Sequence, residues 1–201
     1  ILDFKNKIQT ELKLLENSQE HLAALKDQLK QAYSTLVAAC DELSQKRIQL
    51  AKGFEERMRN ELSQLGMEKA RFKVAIDSPP CNADLEKYIT LQGYDKIEFL
   101  ISLNAGEPLK PLSKIVSGGE MSRIMLAFKT ILANTDDIPV LIFDEIDVGI
   151  SGRIAQVVAQ KMAIISRSHQ LLCVTHLPQI AAMGDHQYII EKVFSNNRTL
   201  T

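Results

Sequence analysis

The chain has 201 residues, enough for one good domain or a small domain with an extension. Hydrophobic residues make up 45% and charged residues 24%, a composition too apolar for global disorder. The formal net charge of −1 gives no overall electrostatic reason to bind nucleic acid or an anionic membrane, and no apolar run approaches the ~20 residues that span a bilayer. The opening Ile1-Leu2-Asp3-Phe4 lacks Met and the pattern of a signal peptide, so the expectation is an internal fragment. Cys40, Cys81 and Cys173 lie far apart without metal-ligand spacing and read as reduced thiols of an intracellular protein.

Breakers divide the chain. Before Ser78 there is no proline, and the only glycines are Gly53 and Gly66. A long stretch rich in Leu, Glu, Lys and Gln is what an extended helix needs. Ile1, Ile8, Leu15, Leu22, Leu29, Leu36, Leu43 and Leu50 recur every seven residues, one side of a coiled-coil seam. The companion position is mixed: Phe4, Leu25, Ala32 and Ala39 suit it, whereas Glu11, Ser18, Lys46 and Gly53 do not. From Leu50 the phase slips to Phe54, Met58, Leu62 and Leu65, as a stutter produces. A continuous helix over 1–65 reaches on the order of 100 Å, too long to pack only on the remainder. A partner strand outside this sequence, or in a second copy, is therefore expected. Asn17-Ser18-Gln19-Glu20 has the form of a capping box, which leaves a break or hairpin there open.

The second half alternates strands and helices. Residues 71–77 alternate with period two, and 97–103 form a second apolar run. The short apolar runs 140–143 and 171–174 read as strands buried on both faces. Met121 to Leu132 and Ile154 to Ile165 carry helical periodicity. Together they predict an α/β lobe whose sheet is at least partly parallel.

Three segments bear chemistry. Ser117-Gly118-Gly119-Glu120 opens a helix, where glycines admit a close ligand and free N–H groups favour a phosphate; Arg123 follows one turn on. A plain Ser-Gly-Gly helix cap accounts for the same residues equally well. Asp144 and Glu145 end a buried strand, at the edge where open α/β sheets bind ligands. One carboxylate suits Mg²⁺ and the other an attacking water; the alternative is a solvated strand end with a helix cap. His176 ends the next buried strand, and a lone histidine there is more often structural than catalytic.

In this order the segments resemble the ATP-binding-cassette ATPases, in the branch shared by SMC and related DNA-repair proteins. Val116 to Glu120 is similar to the signature motif, Leu141 to Glu145 to the Walker B strand, and His176 to the switch histidine. The runs 111–120, 143–152 and 174–179, with Leu15-Glu16-Asn17-Ser18 in the arm, narrow the resemblance to the bacterial recombinational-repair members. No P-loop of the form G-x-x-x-x-G-K-[ST] is present, and Ser151 stands where many relatives carry an aspartate.

The resemblance implies a returning coiled-coil arm over 1–71 and the C-terminal lobe of an ATPase head over 72–201. It implies that Asp144 positions Mg²⁺, that Glu145 activates water and that His176 senses the γ-phosphate. Ser117, Gly118, Gly119 and Glu120 would then contact ATP bound to the opposite head. The implied partners are an N-terminal P-loop half, a second head and DNA, with no membrane, in a cytoplasmic, nucleoid-associated protein active in double-strand-break repair. Without the P-loop half this chain is expected to hydrolyse no ATP. Two other readings stay open: an SMC-like chromosome-organising ATPase, and a coiled-coil dimerisation module with an inactive head.

Overall fold

A computed structural model describes the chain except for residues 1, 81–83, 116, 133, 134, 136, 137, 191, 192, 196, 197 and 201. Cys81 and Val116 therefore lie outside the described residues. The first helix, α1, runs over Leu2–Gln64 without interruption, so the chain does not break at Asn17. It stops where the sequence supplies a left-handed residue. Gly66 has φ +82°, its N–H bonds to Ser63 O at 3.2 Å, and Met67 N–H reaches back to Leu62 O at 2.9 Å. This pair of bonds satisfies carbonyls that the helix end would otherwise orphan.

The chain divides into two compact units. One comprises Ile1–Leu50 and Ile76–Ile97, the other Ala51–Ala75 and Glu98–Thr201. In the first unit, Ile8, Leu22, Leu29, Leu36 and Leu50 of the heptad stripe are exposed, as is Leu25 of the companion position. The loop at 92–95 is fastened to the helix by a buried carboxylate. Asp95 accepts from Ser44 at 2.9 Å, Ser78 at 2.8 Å and Arg47 at 3.1 Å. Arg47 also donates to Gln92 O at 2.7 Å, and Tyr94 OH donates to Asp41 at 2.7 Å. Burial alone would raise the Asp95 pKa, but these hydrogen bonds and the Arg47 charge outweigh it and hold the group below its ordinary value. Gly93, with φ +88°, lets the loop lie close over Leu43 and Arg47.

In the second unit the apolar phase set after Leu50 becomes core: Met58, Leu62 and Leu65 are wholly buried. Strands β1 (Arg71–Asp77), β2 (Lys96–Ser102) and β3 (Lys110–Pro111) form a sheet in that order, β2 and β3 antiparallel. Phe54 of α1, Phe72 of β1, Phe99 of β2 and Phe128 of α2 (Gly118–Leu132) touch one another, every pair of ring centroids falling between 5.4 and 6.1 Å. Edge-to-face geometry in such a cluster adds to simple area burial.

Strands β4 (Val140–Phe143) and β5 (Gln170–Cys173) pair in parallel, joined through α3 (Gly152–Ile165), as the apolar runs predict. Burial on both faces is not observed. Leu141 and Phe143 face the core, whereas Ile142 is 70% exposed and Leu172 and Val174 are also open. Helices cover one side of this two-stranded sheet, and no described element covers the other. Lys161 of α3 pairs with Glu61 of α1 at 2.5 Å in a largely buried position. The chain continues through a one-turn helix, α4 (Pro178–Ala181), to an antiparallel hairpin of β6 (Val193–Ser195) and β7 (Arg198–Leu200).

Leu62→Ala should cost about 2–5 kcal/mol of stability in denaturant unfolding, and Leu50→Ala less than about 0.5, because only the first leaves a cavity.

Candidate active site

Register brings two turns to one edge of the parallel pair. Phe143 lies opposite Cys173, and Val174 N–H donates to Phe143 O at 3.0 Å. The turns that follow, 144–149 and 174–177, therefore leave the same carboxyl edge. A single side chain joins them. Asp147, 3% exposed, accepts from Thr175 Oγ1 at 2.5 Å and from His176 N–H at 2.8 Å. The same carboxylate oxygen lies 3.1 Å from His176 Nδ1. Burial pushes the Asp147 pKa up, but the bonds from Thr175 and the His176 backbone and the His176 charge outweigh it, leaving it below the ordinary aspartate value. Thr175 Oγ1 in turn accepts Leu177 N–H at 3.1 Å, which shapes the turn. The His176 ring itself is 72% exposed.

Asp144 and Glu145 are both exposed at the strand end. Asp144 Oδ1 accepts Glu145 N–H at 2.8 Å, and Ser122 Oγ donates to Asp144 O at 2.7 Å. Glu145 has φ +58°, the one described non-glycine residue in the left-handed region. That conformation costs about 1–2 kcal/mol, and it turns the chain sharply so that Val148 N–H closes on Glu145 O at 3.1 Å. Arg123 holds the turn from beneath: its Nη1 donates to Val148 O at 2.7 Å and to Ile146 O at 3.4 Å. Burial lowers its pKa, offset in part by Glu120. The guanidinium of Arg123 is thus buried, with Nη1 serving two backbone carbonyls of the turn. The Cys173 thiol beside the site is pushed up to about 11 by burial and by the charges of Asp147 and Asp144.

Ser117 caps α2. Glu120 N–H points to its Oγ at 3.4 Å, and Met121 N–H bonds to its carbonyl at 3.0 Å. The two glycines make room for the 145–148 turn. A Cβ on Gly118 would fall 1.9 Å from Glu145 Oε2, and one on Gly119 would meet Glu145 O at 2.9 Å and the Val148 backbone at 3.2 Å. The Glu145 carboxylate thus lies at the N-terminus of α2, where the helix dipole favours negative charge. Glu120 is half-buried in the first helical turn.

The structure therefore joins His176 to the turn bearing Asp144 and Glu145, and sets Gly118 and Gly119 against that same turn. Asp147 was legible in the sequence only as part of a polar turn. The signal was present: an aspartate three residues beyond one buried strand's acidic end, with Thr-His beyond the other. Among the described residues no group of three His, Cys, Asp or Glu side chains is placed to hold a metal by itself. Two adjacent exposed carboxylates do suit Mg²⁺, which commonly takes one or two carboxylates and completes its shell with phosphates and water.

A parallel pair with acids at its carboxyl edge and helices against one face, in a chain that opens on a long helix, is a fold also found in Smc head domains. The Smc head domain with an extended coiled coil from Pyrococcus furiosus has this fold (TM-score 0.51, 17% identity), covering 86% of this chain and 41% of that one. A head with coiled coil and joint from Pyrococcus yayanosii is equally similar (TM-score 0.51, 18% identity, covering 86% and 32%). The sequence narrows this class: the chain is RecN-like over its whole length. It is 43% identical to the DNA repair protein RecN of Bacillus subtilis across all of this chain and 36% of that protein. Identity to RecN of Vibrio cholerae is 41% (93% of this chain, 33% of that one), and to RecN of Treponema pallidum 40% (100% and 35%). The chain spans about a third of the length of these curated relatives. No protein-family model matches it.

Gly119→Ala should destabilise the chain by about 1–3 kcal/mol, since its Cβ meets backbone. Gly118→Ala meets only the end of a flexible side chain, so it should displace the Glu145 carboxylate at little cost in the melting temperature. For Asp147, whose folded pKa is depressed, the stabilisation is complete above about pH 3.9 and drains away as the pH falls through the folded value. The stability gap between the unaltered chain and Asp147→Asn should therefore narrow as the pH falls below 4 in denaturant titrations.

Proposed function

We propose that this chain is the C-terminal part of a RecN-like ATPase acting in recombinational repair of DNA double-strand breaks. In this reading residues 1–71 are the returning coiled-coil arm and 72–201 the C-terminal lobe of the head. The observation that carries it is the Asp147 tie, which holds His176 and the Asp144–Glu145 turn at one sheet edge. A degenerate head would have no reason to keep both groups oriented on a buried charge. The exposed heptad stripe of α1 supports a partner helix, and the open apolar face at Ile142, Leu172 and Val174 supports a missing P-loop half.

Catalysis then divides among the named groups. Asp144 holds Mg²⁺, directly or through water, and bound Mg²⁺ supplies charge neutralisation at the phosphates of ATP. Glu145 orients the attacking water and accepts its proton, and His176 contacts the γ-phosphate. Ser117, Gly118, Gly119 and Glu120 serve ATP held by the opposite head, so they work only when two heads close. In this structure the 145–148 turn lies against the two glycines, and closure has to leave the helix N-terminus accessible. DNA binding, the homodimer and a cytoplasmic, nucleoid-associated place follow from the family likeness, since the net charge of −1 offers no footprint for DNA.

In the full protein, Glu145→Gln should retain ATP binding, lose roughly 10²–10³ in turnover and accumulate as a closed dimer. This chain alone should show no turnover until the P-loop half is added. Undiminished hydrolysis by Glu145→Gln would remove the carboxylate from the mechanism.

A further inference from the structure

We infer that Ser122 is a positioning residue: with Arg123 it binds the carbonyls on either side of Glu145 and fixes the left-handed turn from which that side chain leaves. A serine inside a helix commonly turns its hydroxyl back to the carbonyl four residues earlier. Ser122, half-buried on α2, instead donates to Asp144 O at 2.7 Å, at the end of β4. The N–H of the same peptide donates to Asp144 Oδ1 at 2.8 Å. Both polar ends of the Asp144–Glu145 peptide are therefore held, and its plane cannot rotate without breaking bonds. Beyond Glu145, the buried guanidinium of Arg123 binds Ile146 O and Val148 O.

The orientation of that peptide decides the backbone of the residue after it. Turns of types I and II differ by rotation of their middle peptide, which carries φ of the next residue from about −90° to about +80°. Glu145, at φ +58°, holds an orientation that an L-residue rarely takes unaided. Its own carbonyl accepts Val148 N–H at 3.1 Å, and Gly119 leaves that carbonyl room against α2. With the Ser122 bond lost, the peptide is free to turn over and Glu145 to relax to negative φ. Its Cβ then leaves the turn in another direction, and the carboxylate moves with it. Ser122 bears on catalysis only through the ATPase reading above, which gives Glu145 the attacking water; its hold on the backbone stands apart from that reading.

The test begins on the chain as it is. Three-bond couplings from the Glu145 amide proton to its Hα, Cβ and carbonyl carbon together distinguish positive from negative φ. In the unaltered chain they should report positive φ. In Ser122→Ala they should move to the negative range, while Ser122→Thr, which keeps the hydroxyl, should leave them in place. Negative φ in the unaltered chain overturns the inference, and this outcome needs no variant to fold. Unmoved couplings in a folded Ser122→Ala overturn it as well. In the full protein, Ser122→Ala should lower kcat about 10- to 100-fold with KM for ATP changed less than about threefold, and Ser122→Thr should keep kcat within about threefold of the unaltered protein. A bond that served stability alone would lower the melting temperature of Ser122→Ala and leave kcat of the folded protein as it was. Unchanged kcat would therefore overturn the positioning role even with the couplings shifted. Undiminished turnover by Glu145→Gln would count against the ATPase mechanism while leaving the coupling result intact.

Discussion

The carboxylate of Asp147 is buried between two turns and shared by a hydroxyl, a backbone amide and an imidazole. A charge in that position is tolerated because every near neighbour offers it a proton or a positive charge, which is why its pKa falls despite burial. The arrangement of the sheet edge depends on it. Parallel pairing of β4 and β5 sets the two turns side by side, but pairing ends at Phe143 and Cys173. Beyond those residues the Asp147 bonds are what keep the acidic turn and the histidine turn together.

The same turn is held from its other side by α2. Arg123 binds two of its carbonyls, Ser122 binds a third, and Gly118 and Gly119 remove the side chains that would keep it away. Glu145 lies within this clamp in a left-handed conformation. Strain of that kind persists only where the surroundings over-determine it, and here both flanks do. So constrained a turn fixes where the Glu145 side chain leaves the backbone, while its exposed carboxylate end stays adjustable.

Helix α1 serves two environments with one continuous backbone. Up to Leu50 its apolar stripe keeps a seven-residue period and is largely exposed; beyond Leu50 the phase shifts and the apolar residues become core. A change of phase rotates the apolar face around the helix, so the residues on either side of Leu50 present different faces. Two Smc head domains with coiled coils, from Pyrococcus furiosus and Pyrococcus yayanosii, share this fold. The physical reason that it works is that an α-helix satisfies its own backbone and needs packing only on whichever face is apolar.

Much of this was legible in the residues. Period seven and the absence of proline determined α1, and alternation or short apolar runs determined β1, β2, β4 and β5, because these patterns express local backbone periodicity. The motif order pointed to the ATP-binding-cassette class, and the runs 111–120, 143–152 and 174–179 narrowed it to the members to which the chain is similar. Tertiary structure decided the rest. The sequence places Arg123 one turn beyond the glycines but does not reveal that its guanidinium lies under the Ile146 and Val148 carbonyls, and Ile142 reads as buried until one face of its sheet is seen uncovered. Asp95 and Asp147 are ordinary loop acids in sequence, yet each collects partners from segments far along the chain: Ser44, Arg47 and Ser78 for one, Thr175 and His176 for the other. A local pattern fixes which way a side chain leaves its own strand or helix. What waits for it there depends on long-range packing, which periodicity does not encode.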